Sequence, residues 1–151
     1  MKTNSIICLI LSFTFISCKS VKINRNQENN LVGTEWLFVG FQYKSFDGRD
    51  TLKECPKEYG YVLRFTTYSN LTGTATLPFS GRYILRPNNM ISFTGYIPTG
   101  YVTKMPKEEF EWRMNFVKQL QKNKRTMYAV KNDHLIINAD SDLRTVFKRT
   151  Q

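Results

Sequence analysis

The chain has 151 residues, 22 basic against 12 acidic side chains and one histidine, for a net charge of +10. That length is enough for one domain with a real core. A single histidine leaves little material for acid–base chemistry, and the positive balance points toward anionic partners.

The N-terminus speaks about delivery. Lys2 and the α-amine form a positive start, followed by an apolar run from Ile6 through Ile16. The run has the length of a signal-peptide core and is too short to span a bilayer. It ends in Phe15-Ile16-Ser17-Cys18. An apolar residue, a small residue and then cysteine resembles the lipobox of bacterial lipoproteins. The resemblance implies cleavage before Cys18 and diacylglycerol on its thiol, with further acylation (palmitate or similar) of the freed amine. An ordinary secretory signal or a short anchor is the alternative. The chain then divides into a signal peptide (1–17), a lipidated cysteine with a polar, Asn-rich tether (18–30) and one folded domain (31–151). Lys19-Ser20 follows the cysteine, with neither an aspartate nor an acidic run. By the rules of lipoprotein sorting this implies the outer membrane and its periplasmic face.

Without residues 1–17 the chain keeps 134 residues, 21 basic and 12 acidic, or +9. This charge suits anionic lipid headgroups or lipopolysaccharide, although mere solubility explains it as well. Nucleic acid is not an expected partner of a secreted chain, and a monomer attached to the membrane by its lipid is expected. Cys8 leaves with the signal and Cys18 is lipidated, so Cys55 stands alone and no intrachain disulfide can form. Lysines near Cys55 could activate its thiol. A small, partly buried filler is the preferred reading.

The domain opens with a strand over 35–43, rich in aromatic and β-branched residues, and a turn over 45–50. A loop with Cys55 and Pro56 leads to 59–67, where Tyr61, Leu63 and Phe65 alternate with Val62, Arg64 and Thr66. Residues 81–86 and 90–94 form a hairpin around Pro87-Asn88-Asn89. One helix starts at Pro106, with Glu108, Glu109 and Glu111 early and Lys118, Lys122, Lys124 and Arg125 late, matching the helix dipole. Phe110, Met114, Val117 and Leu120 give its buried face, widened by Trp112 and Phe116. Arg113 on that face reads either as a ligand-anion contact or, preferably, as a snorkelling edge residue. Three short strands, 126–131, 134–138 and 143–148, close the chain through Asn/Asp turns.

This order resembles the META domain family, also called HslJ-like, over about residues 31–149. The carrying residues are Leu31-Val32-Gly33-Thr34-Glu35-Trp36-Leu37, Phe79-Ser80-Gly81-Arg82-Tyr83 and Asn89-Met90-Ile91-Ser92-Phe93. Thr103-Lys104-Met105, then Glu111, Phe116 and Leu120, and finally Tyr128, Asn132, Leu135 and Val146-Phe147-Lys148-Arg149 complete them. The family's glycine-cysteine-asparagine is replaced by Ala75-Thr76-Leu77, and its second cysteine by Lys107. The resemblance implies an α+β fold: a compact antiparallel sheet, curved as a partial barrel, with one packed helix. It also implies a role in envelope maintenance or stress, with no agreed biochemical activity.

No catalytic set emerges. His134 follows Asn132-Asp133 and reads as a solvated turn residue. No nucleophile-elbow pattern accompanies a serine. Asp140 and Asp142 lie in turn sequences and lack the rest of a calcium loop. No metal and no cofactor are expected. The expected function is therefore a non-enzymatic envelope scaffold or binding module. The alternative is a lipocalin-like carrier of a small apolar ligand, which would need a cavity between the helix and the strands.

Overall fold

The computed structural model describes residues 31–66, 69–98, 104–121 and 125–150. The expected signal, Cys18 and tether lie outside them, as do Thr103, Lys122 and Lys124.

Strand β1 (Thr34–Lys44) sends Trp36, Phe38, Phe41 and Tyr43 to one face. A bulge between Phe38 and Gly40 shifts the alternation by one residue, which returns Phe41 to the inside. A Cβ at Gly40 would lie 2.1 Å from the carbonyl oxygen of Lys53, so only glycine lets the neighbouring strand approach. Two strands share that edge of β1. β2 (Asp50–Glu54) pairs with its second half and β3 (Val62–Phe65) with its first. Between them, Cys55 N–H donates to the Val39 carbonyl and Phe38 N–H to the Tyr61 carbonyl, each at 2.8 Å. β2 and β3 thus act as one wall strand from which residues 56–60 loop out. The excursion holds a 3-10 turn, Lys57–Tyr59, and Gly60 closes it at φ 56.

The wall continues through β4 (Asn70–Ala75), β5 (Leu77–Arg86) and β6 (Met90–Pro98). After helix α1 (Lys107–Gln121) come β7 (Thr126–Lys131), β8 (His134–Ile137) and β9 (Leu143–Arg149). From β3 onward each strand pairs antiparallel with the next, and β9 pairs back onto β1 from Trp36↔Arg149 to Tyr43↔Leu143. The molecule is therefore mostly β: a closed eight-stranded antiparallel barrel plus one helix. The expected curved antiparallel sheet with a packed helix is present. Its curvature completes the circle rather than stopping at a partial barrel, because both edges of β1 find partners.

Alternating strand direction sorts the connections to two ends. The entry end holds Leu31, the β3–β4, β5–β6 and β7–β8 turns and the end of β9. The helix end holds the β1–β2 turn, Thr76, α1 and the β8–β9 turn. β6 and β7 share only two register pairs, Met90↔Met127 and Ile91↔Thr126. The chain between them forms α1, which packs into the barrel there. Phe116 is fully buried among Phe38, Tyr61, Phe79 and Phe147, with ring centroids 5.1 to 6.1 Å away.

The buried stripe of α1 differs from the expected one. Trp112, Phe116, Gln119 and Leu120 face inward with Val117, whereas Phe110 and Met114 are exposed. Polar ties set this rotation. Thr76 Oγ1 donates to Glu109 Oε1 at 2.6 Å, and Tyr61 Oη to the Glu109 carbonyl at 3.2 Å. At the other end of the helix, Asn138 Nδ2 donates to Gln119 Oε1 at 2.8 Å. With Glu109 and Gln119 turned to the barrel, Phe110 swings about 100° away.

Candidate functional site

Along β1 and β9 the inward-facing residues run from a packed interior to an open mouth. Phe38 and Phe147 are buried opposite each other, and Phe41 remains buried one step higher. At the next step Tyr43 and Leu143 pair in register but are 42% and 39% exposed. Inner-face apolar side chains left in solvent mark a barrel end that α1 covers only in part. The opening is a pocket of about 250 Å³.

Three separate segments build it. Phe41 and Trp112 form the floor, stacked with ring centroids 5.5 Å apart and planes within 7°. Lys53 on β2 stands opposite Phe41 in register and extends over Trp112, its Nζ 5.1 Å from the ring centroid. One flank of α1 contributes Glu108, Glu111, Asn115 and Gln119. The mouth therefore joins an aromatic floor to one ammonium, two carboxylates and two amides. Such a mixture suits a partner that presents an apolar group framed by hydrogen-bonding and charged groups. Phe46, fully exposed at the tip of the β1–β2 turn, stands at the same end. Of this pocket the helix pattern singled out Trp112, Glu108 and Glu111. Tyr43, Lys53 and Leu143 come from remote segments and carried no local signal.

The other singled-out residues lie apart. His134 is on the outer wall at the entry end, its Nδ1 2.7 Å from Asp133 Oδ1. Asp140 and Asp142 sit in the β8–β9 turn, where the Asp142 carbonyl accepts from Lys44 N–H at 3.2 Å. Among the described residues no group of three or more His, Cys, Asp or Glu could hold a metal ion. Arg113 is half-buried and does not line the mouth. Cys55 is buried where the chain leaves β2 for the excursion. Burial, with Glu58 nearby, pushes its thiol up to about 12, the opposite of an activated cysteine. The same burial pushes the Tyr61 phenol up to about 12. Among the described residues no helix is long and apolar enough to cross a membrane.

No family model matches the chain, and no curated protein does. Solved structures do. An NMR structure of a protein from Burkholderia xenovorans is 16% identical with a TM-score of 0.62, covering 85% of this chain and 90% of that one. A crystal structure of a DUF4847 family protein from Bacteroides vulgatus is 14% identical with a TM-score of 0.57, covering 81% and 96%. The chain is thus structurally similar to these bacterial proteins over nearly their whole lengths. Likeness at this identity carries the fold alone.

Proposed function

We propose that this chain is a cell-envelope lipoprotein, anchored through Cys18, whose barrel is a non-enzymatic binding module presenting the mouth beside α1. One observation carries the reading: Tyr43 and Leu143 lie on the inner face of the barrel yet remain exposed above the Phe41–Trp112 floor. Apolar groups held open by a rigid wall fit recognition of a partner, protein or cell wall, at the surface. The carrier alternative needs room beneath the helix. There the ring of Phe116 and its four aromatic neighbours occupies the space, which weighs against it.

A META-like relationship is part of this proposal. The family's cysteine pair falls at Thr76 and Lys107 of this chain. Thr76 hydrogen-bonds Glu109, two residues beyond Lys107, so a strand corner meets the helix start where the resemblance asks for a link. That contact supports the relationship, and with it a role in envelope maintenance or stress.

Cross-linking in intact cells tests the function. A photoreactive residue at Tyr43 is expected to capture a discrete protein or cell-wall adduct that the same residue at Ile84, exposed on the outer wall, does not. A small apolar molecule attached at Tyr43 would favour the carrier. Identical products from both positions would contradict a recognition site at the mouth.

A further inference from the structure

Among the described residues, most of the excess positive charge lies at one end of the barrel. At the entry end, Arg64, Arg82, Arg86, Lys131, Lys148 and Arg149 face only Glu35 and Asp133, a balance of +4. The remaining described residues carry ten basic and nine acidic side chains, a balance of +1. The six cations come from β3, β5, β7 and β9, so they are distributed around the rim rather than gathered on one strand. Ion pairing removes part of this field, through Arg64 with Glu35 and through Lys148 with Asp133 at 3.8 Å. Arg82 and Lys131 are exposed, and Arg149 lies over the Trp36 ring at 5.2 Å.

Leu31 enters the barrel at this same end. The segment 18–30 has 13 residues and by covalent geometry can reach no further than about 45 Å. It would keep the entry end within reach of the surface that holds the lipid, and its Lys19, Lys22 and Arg25 outnumber Glu28. We infer that the basic rim at the entry end docks on anionic phospholipid headgroups, which orients the barrel with the mouth beside α1 facing away from the membrane. The inference rests on the lipid-anchor reading for the position of the membrane and on the rim charges for the contact. A lipid chain and a basic patch together form the two-signal attachment that holds peripheral proteins in one orientation.

The test uses the full chain processed in a bacterial host and added to vesicles of phosphatidylcholine, alone or mixed with phosphatidylglycerol. Pro87→Cys places a thiol at the rim and Phe46→Cys one at the helix end, while Cys55 stays buried. On anionic vesicles at low salt, a membrane-impermeant maleimide should label Pro87→Cys about tenfold more slowly than on neutral vesicles, and Phe46→Cys equally on both. Arg82→Glu with Lys131→Glu should restore fast labelling. Lys107→Glu with Lys118→Glu, the same charge change near α1, should not. Equal labelling of both thiols on both vesicles, or equal effects of the two reversals, would overturn the inference. Failure to float with neutral vesicles would count against the anchor instead. Flotation with anionic vesicles would then decide the rim: it stands if the rim reversal alone abolishes flotation, and falls if neither or both do.

Discussion

The two ends of this barrel are built from different materials. The helix end is held by aromatic rings and by hydrogen bonds from Thr76, Tyr61 and Asn138 to α1, and outside the entry end the described acidic and basic side chains are nearly balanced. The entry end is closed by short Asn-containing turns, with Asn88, Asn89 and Asn132 in the left-handed region, and is ringed by cations. The difference teaches that stability and surface function are separated along the barrel axis. Substitutions at the buried contacts of α1 should destabilise the protein, whereas charge changes at the rim should leave the fold intact and alter what it touches.

The largest expected effect is at the centre of the aromatic cluster. Phe116→Ala should cost about 3–5 kcal/mol, read as a shift in the denaturant midpoint, because four rings lose their common neighbour. Next is Asn138, which accepts from Thr126 Oγ1 at 2.6 Å while donating to Gln119, at φ 60. Asn138→Ala should cost about 1–3 kcal/mol by stranding the buried Gln119 amide, and an unchanged midpoint would remove the tie from the account. Alkaline titration gives a graded effect. Burial raises Cys55 and Tyr61 above their ordinary values of 9.0 and 10.0, so both stay neutral in the fold. Stability should be complete below about pH 9 and fall as pH climbs toward 12, since the unfolded chain releases these protons first. Cys55→Ala should lose less over that window than the wild type. The smallest effect belongs to the rim, where Arg82→Glu with Lys131→Glu should move stability by no more than about 0.5 kcal/mol.

Much of the wall was legible because its residues alternate. Tyr61, Leu63 and Phe65, read as one alternating set, share the inner face, and Pro87-Asn88-Asn89 makes the predicted turn. β2 was hidden because Asp50-Thr51-Leu52-Lys53-Glu54 is exposed throughout and shows no buried alternation. β4 was hidden by Gly73, a weak strand former that is required because a Cβ there would meet the Phe79 ring at 2.4 Å. Closure could not be read locally, since it depends on β9 returning to β1 across most of the chain. The rotation of α1 was misjudged for a related reason: two apolar stripes overlap on the helix, and the choice between them is made by Thr76 and Asn138, which lie elsewhere in the sequence. The mouth was illegible for the same cause, because Tyr43, Lys53, Trp112 and Leu143 meet only in three dimensions.

A paired cross-link in intact cells tests the division between the ends most directly. The same photoreactive residue is placed at Leu143 in the mouth and at Pro87 on the rim. The account predicts a protein or cell-wall adduct from Leu143 and phospholipid from Pro87. Phospholipid from Leu143, or the same class of product from both positions, would contradict it.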